Sequence, residues 1–393
     1  MWRVRPHGAG GSIPPVAGLD RRGFLSGALA SLGAVACGVT GQAPTATPAR
    51  SGAARRIDVH HHFAPPAWVA EVKGRPLLQP ANAAWTPAKS IEDMDRGGVA
   101  AALVSITNPG LWFGDAVATR RLARACNEYG ARLMQDHPTR FGLLAAMPLP
   151  DVDATLREIE YACDTLRADG VALFTSYGDT WLGNPAFRPV MAELNRRRAV
   201  VHVHPTPADC CRSLDYAPGV GPGTAEYAAD TTRAIIGVTF SGDAALFPDI
   251  RFIWSHAGGT APFLAGRIDG RSRGAKDRLP HGFLYEARRF SYDLAGAANP
   301  GAVASLLQLV PSTQILFGTD FPPGGSSAEI ARALGGMTLL TDADLRAIER
   351  ENALRLFPRL RAWQTAEKLA GCSERSRCEA APEGRTRGVL SVR

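Results

Sequence analysis

Lysine is scarce in this sequence of 393 residues, and most basic side chains are arginines. The only lysines are Lys73, Lys89, Lys276 and Lys368. The formal charge of +7 lies at the two ends: residues 1–56 contain seven arginines and one acid, and residues 362–393 contain six basic and four acidic side chains. The segment 57–361 is therefore near −1. Since a nucleic-acid partner requires a basic face on the folded domain, we expect none.

The chain also lacks patterned cysteines and long apolar runs. Its seven cysteines form no C-x-x-C pair and no spacing typical of a zinc finger or a disulfide framework. No apolar run reaches the roughly 20 residues that a membrane-spanning helix needs, so we expect no stable membrane span. A hydrophobic content of 45% with 21% charged residues is typical of a globular protein with a sizeable core.

The two ends of the chain do not have the pattern of folded elements. Within residues 1–50, Arg21-Arg22-Gly23-Phe24-Leu25 precedes a small apolar run. This resembles a twin-arginine export signal and predicts a periplasmic or exported protein. The alternative is a disordered basic extension on a cytoplasmic protein. Residues 362–393 are polar and aperiodic, which predicts a disordered tail. The folded domain is therefore predicted over residues 55–361.

Eight short apolar runs, separated by helix-like segments, predict the fold class. The runs are Ile57–His60, Ala101–Ile106, Phe141–Met147, Gly170–Thr175, Ala199–His204, Arg251–Ser255, Phe290–Leu294 and Gln314–Thr319. Eight strand–helix units over about 300 residues indicate a single (β/α)8 TIM barrel. An open doubly wound sheet is the alternative, but it requires a glycine-rich phosphate loop after the first strand. That position holds His-His-His-Phe-Ala-Pro-Pro.

Metal-binding residue types stand at the carboxyl ends of these strands, where barrel enzymes place their active groups. Alternation along the first strand places His60 and His62 on one face and His61 on the other. Further strands end in His204, His256 and Asp320. Imidazoles and a carboxylate suit one divalent ion, Zn2+ first and Mn2+ second, with a position left for water or substrate.

The motifs at these strand ends also carry a family resemblance. They are Ile57-Asp58-Val59-His60-His61-His62-Phe63, His204-Pro205, Ser255-His256-Ala257-Gly258-Gly259 and Phe317-Gly318-Thr319-Asp320-Phe321-Pro322. This set resembles the amidohydrolase superfamily, within it the aminocarboxymuconate-semialdehyde decarboxylase branch, and further 6-methylsalicylate decarboxylase-like proteins. The resemblance implies that His60, His62, His204 and Asp320 hold a metal ion and that His256 is a general acid/base. A second metal would need a lysine on the fourth strand, which has none.

The resemblance and the residue pattern suggest substrate contacts as well. In the family, an arginine after the acid/base histidine can reach the neighbouring subunit's site, which implies a homodimer and makes Arg267 a candidate for the substrate carboxylate. Asp293, at the end of the seventh strand, is a candidate polar contact. Five aromatic residues after strand ends are predicted to form an apolar wall for a planar ring: Phe63, Trp68, Trp112, Trp181 and Phe321.

Three functions remain open at this point. The resemblance favours non-oxidative decarboxylation of a hydroxylated aromatic acid such as 6-methylsalicylate, in which His256 or Asp320 supplies a proton to the ring carbon. The first alternative is a metal-dependent hydrolase of a lactone or amide, because the same residues could activate water. The second is a non-catalytic exported binding protein on the same barrel.

Overall fold

The computed structural model describes residues 55–75, 78–206 and 220–361. The export signal predicted in residues 1–50 and the tail predicted in residues 362–393 lie outside these ranges, so both stay predictions. No helix among the described residues is long and apolar enough to cross a membrane.

Eight parallel strands form one sheet in the order of the chain, which confirms the (β/α)8 barrel. The strands are β1 Arg56–His62, β2 Val99–Ser105, β3 Phe141–Ala146, β4 Gly170–Phe174, β5 Val200–His204, β6 Arg251–Trp254, β7 Ser291–Asp293 and β8 Ile315–Leu316. All eight lie where the apolar runs predicted them. A separate antiparallel hairpin, Ser176–Tyr177 with Thr180–Trp181, follows β4.

Helices connect the strands. They are α1 Pro66–Val72, α2 Pro80–Ala83, α3 Pro87–Gly97, α4 Ala116–Asp136, α5 Val152–Glu160, α6 Arg188–Arg196, α7 Glu226–Phe240, α8 Asp243–Leu246, α9 Ala261–Asp269, α10 Phe283–Ala287, α11 Pro300–Leu309, α12 Ser327–Gly335, α13 Asp342–Arg346 and α14 Asn352–Leu356. Side-chain caps set several of their starts. Asp115, for example, accepts bonds from the Val117 and Ala118 amides at the start of α4.

The inside of the barrel is filled by apolar side chains. One cluster joins residues from seven of the eight strands to the C-terminal segment: Ile57, Val59, Leu103, Leu144, Ala172, Val200, Ile253, Leu316, Ala353, Phe357 and Leu360. The barrel is therefore a packed core and not a pore, and polar groups are left to its carboxyl end.

A bulge in β1 turns His60 and His62 inward. Asp58 pairs with Ala102 and His61 pairs with Val104, so β1 contains one residue more than β2 between these positions. Ile57 and Val59 belong to the inner apolar cluster. In a regular strand His60 would point outward, because its neighbour Val59 points inward. The extra residue shifts the alternation by one position, so that His60 points inward as well. The inward-facing side chains of β1 thus change from apolar to metal-binding between Val59 and His60.

Closure between β8 and β1 uses a few specific bonds and not a long ladder. The amide of Val59 donates to the Phe317 carbonyl at 3.0 Å, and the amide of Asp320 donates to the His60 carbonyl at 2.8 Å. β8 ends at Leu316, earlier than the predicted Thr319, because the chain leaves extended geometry before Asp320, whose φ is +58°. The close approach also requires Gly318, since a Cβ there would lie 2.9 Å from that of His60.

The buried Asp58 carboxylate joins the first and last strands, which generates a stability prediction. It accepts bonds from the amide and the hydroxyl of Thr319 at 3.1 and 2.6 Å, and from the His60 amide at 3.0 Å. Asp58→Ala leaves these buried donors without an acceptor. We expect the free energy of unfolding, measured in urea, to fall by about 3 kcal/mol.

Asp58→Asn is the matched control, because it retains an acceptor oxygen at the same place. It should lose less than half as much stability as Asp58→Ala. A change below about 0.5 kcal/mol in Asp58→Ala, within the range of ordinary surface substitutions, would contradict this role in closing the barrel.

Candidate metal centre and cavity

Four side chains converge at the carboxyl end of the barrel, and we call His60, His62, His204 and Asp320 the candidate metal centre. The Nε2 atoms of His60 and His62 are 3.1 Å apart. Oδ1 of Asp320 lies 2.8 Å from Nε2 of His62, 3.5 Å from that of His60 and 4.0 Å from that of His204. The structure therefore brings together the four residues that sequence reasoning proposed as ligands.

The opposite nitrogen of each imidazole contacts an oxygen. Nδ1 of His60 lies 3.0 Å from Asp293 Oδ2, Nδ1 of His62 lies 3.2 Å from the Ser105 carbonyl, and Nδ1 of His204 lies 2.8 Å from the Pro205 carbonyl. A proton on Nδ1 satisfies each of these acceptors and leaves the Nε2 lone pair directed at the centre. Metal-binding histidines are commonly oriented in this way.

One atom of the centre is left without a hydrogen bond in the described part of the chain. Asp320 Oδ1 is buried and has no hydrogen-bond partner, although Nε2 of His62 is 2.8 Å away. Since a buried carboxylate oxygen without a partner is costly, a cation in its place is the better solution. His60, His204, His256 and Asp320 form a group whose ligand atoms lie within 4.8 Å of one another. The nitrogen and carboxylate donors fit a divalent metal ion.

The carboxylates of Asp293 and Asp320 determine which imidazole of the centre is charged. Burial alone would raise the pKa of Asp293, but the neighbouring His60 and His202 hold it well below its usual range. Burial would likewise raise the pKa of Asp320, but His256, His60 and His62 lower it. Burial would lower the pKa of His60, but Asp293 and Asp320 raise it to about 10.

The other two imidazoles of the centre do not carry this charge. Burial lowers the pKa of His62, and burial together with the neighbouring histidines places that of His204 well below its usual value. Without a metal ion, the centre therefore holds one positively charged imidazole, that of His60, which carries a second proton and lies between two carboxylates.

His256 stands beside the centre in a strained backbone conformation. Its φ is +54°, a region that costs a non-glycine residue energy and that is often found at functional sites. Its amide donates to Asp293 Oδ1 at 3.1 Å, and its Nε2 lies 3.5 Å from Asp320 Oδ2. The turn that follows needs Gly259, because a Cβ there would lie 2.1 Å from the Ala228 carbonyl oxygen. His256 can therefore exchange a proton with Asp320 or with a ligand.

A cavity of about 580 Å3 opens over the centre. Its described lining is Gln79, Asn82, Thr107, Asn108, His204, Gly223, Thr224, Tyr227, Ala228, His256, Ala257, Gly259, Thr260, Pro262, Phe263, Gly296, Ala297, Asn299, Gly301, Ala302, Ser305, Asp320, Pro323 and Gly324. This volume suits a small-molecule ligand. Among these residues there is no lysine or arginine.

The predicted substrate contacts are placed differently. Asp293 is fully buried beneath the centre and is not part of the cavity lining; it contacts His60 and His202. Trp181 lies on the hairpin after β4, with the Arg233 guanidinium 5.9 Å from its ring centroid, and it does not line the cavity. Arg267 is exposed on α9. Its proposed reach into a neighbouring subunit stays a prediction.

The predicted apolar wall is not where the sequence suggested. None of the five aromatic residues proposed for it lines the cavity formed by the described residues. Phe63 and Trp68 are buried in the core between barrel and helices, because strand ends also carry side chains that cap that core. The aromatic side chains of the lining are Tyr227 and Phe263, on helices after β5 and β6. Only their position two or three residues inside a helix after a histidine-bearing strand could have indicated them.

The proton on His60 predicts how metal affinity depends on pH. A metal ion must displace this proton to reach the Nε2 lone pair, so affinity should rise with pH below the His60 pKa of about 10. Titration of the metal-free protein with Zn2+ between pH 6 and 8 should give a dissociation constant that falls about tenfold per pH unit. It should saturate at one ion per chain.

Asp293→Asn is the matched variant, because Asp293 is the leading cause of the raised His60 pKa. The dissociation constant of this variant for Zn2+ should change less per pH unit than that of the wild type, whatever its absolute affinity. A wild-type affinity that does not change with pH, or two tightly bound ions per chain, would contradict this description of the centre.

Comparison with known proteins agrees with the barrel fold. A family model described as amidohydrolase matches residues 57–359. Decarboxylase yanB of Aspergillus niger is 38% identical over 77% of this chain and 88% of its own length. The 6-methylsalicylic acid decarboxylase of Penicillium expansum is 36% identical over 80% of this chain and 99% of its own length.

Among solved structures, a 2,6-dihydroxybenzoate decarboxylase complexed with 2,6-dihydroxybenzoate is 25% identical. It has a TM-score of 0.69 and covers 77% of this chain and 99% of its own. The family match extends over the whole barrel, including the candidate metal centre and His256. The chain belongs to the amidohydrolase family.

Proposed function

We propose that this chain is a metal-dependent, non-oxidative decarboxylase of a hydroxylated aromatic acid, with 6-methylsalicylate as the first substrate to test. The observation that carries the proposal is the position of His256, whose Nε2 lies 3.5 Å from Asp320 at the floor of the cavity. A proton donor is therefore placed beside a metal-binding group. The decarboxylase names of relatives that are 35–38% identical over most of the chain support the same reaction class.

The cofactor that we propose is one divalent ion, with Zn2+ favoured over Mn2+ because three of the four ligands are imidazoles. The ligands would be His60, His62, His204 and Asp320. When bound, the ion would position the carboxylate and an ortho oxygen of the substrate and stabilise negative charge that develops on the ring. β4 ends in Leu173-Phe174 without a lysine, which favours a single ion.

The proton for the ring carbon would come from a side chain of this protein. Because the pKa of Asp320 is well below its usual range, its carboxyl group stays ionised at neutral pH. Asp320 therefore has no proton to give, and we assign the role of proton donor to His256. As the bond between the ring and the carboxylate breaks, its electron pair remains on the ring carbon and CO2 leaves. His256 then supplies a proton to that carbon, which yields a phenol.

The cavity suits this reaction, because the described lining combines neutral amides and hydroxyls with apolar side chains. It can surround a single ring in a volume of about 580 Å3. Export through the twin-arginine pathway and assembly as a homodimer are further parts of the proposal. The mature N-terminus, determined by mass spectrometry, tests export, and the mass of the native protein in solution tests the dimer.

The reaction is tested with metal-loaded protein and a panel of salicylates. With 6-methylsalicylate we expect CO2 and 3-methylphenol in equal amounts. A hydrolase on the same barrel would instead cleave lactones or amides in a parallel panel and release no CO2. That result would contradict the proposal.

His256→Ala should lower kcat by a factor of about 10² to 10⁴, the usual contribution of general acid catalysis, while the protein still binds one metal ion. His281→Ala is the matched control, because His281 is exposed and does not line the cavity. It should retain wild-type kcat. Unchanged turnover in His256→Ala would exclude His256 as the proton donor.

A further inference from the structure

The side chain of Tyr227 lies in the cavity wall next to the candidate metal centre. Tyr227 is the second residue of α7 and lines the cavity. Its ring centroid is 6.4 Å from that of His204, at an interplanar angle of 66°. A ligand held over the centre would therefore lie within reach of this side chain.

The hydroxyl group of Tyr227, which is half-buried, differs from those of the buried tyrosines Tyr177 and Tyr292. Tyr177 accepts a bond from the Phe174 amide at 3.0 Å, and Tyr292 donates to the Ala287 carbonyl at 2.8 Å. Within residues 55–75, 78–206 and 220–361, the Tyr227 hydroxyl has no hydrogen-bond partner. Tyrosine combines an apolar ring with a polar end that pairs with a neighbour where it can, so this hydroxyl in the cavity wall is available to a ligand.

The charge balance of the cavity indicates which ligand group this is. An aromatic acid brings a carboxylate close to Asp320, which is itself negative. The described lining has no lysine or arginine to offset the added charge. Within this described lining, neutral donors are the groups that can assist the metal ion in holding the carboxylate, and hydrogen bonds to an anion are stronger than those between neutral groups.

The hydroxyl group of Tyr227 keeps its proton under these conditions. Burial raises the pKa of Tyr227 above its usual value, and the carboxylates of Asp320 and Asp230 raise it further. It is therefore a donor throughout the neutral and mildly alkaline range, and it adds no negative charge to the cavity.

We propose that the Tyr227 hydroxyl donates a hydrogen bond to a carboxylate oxygen of the substrate and so distinguishes the aromatic acid from its phenol product. This inference rests on the proposed function, because it takes an aromatic carboxylate as the ligand. Once CO2 has left, the acceptor is gone and the product loses this contact. Tyr227 would thus favour binding of the acid and release of the phenol.

The test is a binding measurement, so it needs no turnover. Calorimetry on metal-loaded protein compares two probes of similar shape: 2-methylbenzoate, which carries a carboxylate, and 3-methylphenol, which does not. Tyr227→Phe retains the ring and removes only the hydroxyl. We expect it to weaken binding of 2-methylbenzoate about tenfold or more and to change binding of 3-methylphenol less than twofold.

Two further variants complete the test. Tyr285→Phe removes a hydroxyl from α10, outside the cavity lining, and should leave both affinities unchanged. Tyr227→Leu removes ring and hydroxyl and should weaken both probes. Equal losses for both probes in Tyr227→Phe, no loss for either, or no binding of 2-methylbenzoate to the wild type would overturn the inference. Wild-type binding of 2-methylbenzoate without CO2 release from 6-methylsalicylate would refute the proposed function alone.

Discussion

The site depends on the hydrogen bonds that the buried carboxylate of Asp293 makes. Its Oδ2 contacts Nδ1 of His60 at 3.0 Å and Nε2 of His202 at 2.9 Å. Its Oδ1 accepts the amides of His256 at 3.1 Å and Ala295 at 3.0 Å. One fully buried charge thus joins β1, β5, the turn after β6 and β7. A buried carboxylate is tolerated only when both of its oxygens have hydrogen-bond partners in this way, because its desolvation is costly.

This arrangement links the two halves of the proposed chemistry. Through Nδ1 of His60, Asp293 fixes the ring whose Nε2 points at the candidate metal centre. Through the backbone of His256, it helps to hold the proposed acid in its strained conformation with φ of +54°. Metal binding and proton delivery therefore share one anchor below the cavity, and the loops above the anchor are free to shape the pocket for a particular ring.

Strand periodicity predicted the direction of the key side chains but not their depth. It placed His60 and His62 on one face and His61 on the other, and in the structure His61 Nε2 indeed contacts Ser90 on α3. Asp293 was recognised at a strand end but interpreted as a substrate contact. The register of short strands decides whether such a side chain lies in the cavity or beneath it, and β7 has only three residues.

The walls of the cavity were harder to predict than its floor. Strand ends follow a barrel rule that can be applied to a sequence, whereas the lining comes from loops and helix starts whose geometry depends on distant contacts. The aromatic residues directly after strands, such as Phe63 and Trp68, are turned into the core between barrel and helices. Tyr227 lies after a long connection from β5, and only its place at the start of the helix that follows this histidine-bearing strand could have indicated it.

Decarboxylation in deuterium oxide tests the central claim most directly, because it follows the proton as well as the carbon. Metal-loaded protein and 6-methylsalicylate should give 3-methylphenol with one deuterium, at the ring carbon that carried the carboxylate, in an amount equal to the CO2 released. Products that have taken up solvent oxygen, or that carry no deuterium at that carbon, would contradict a decarboxylase in which the chain protonates the ring.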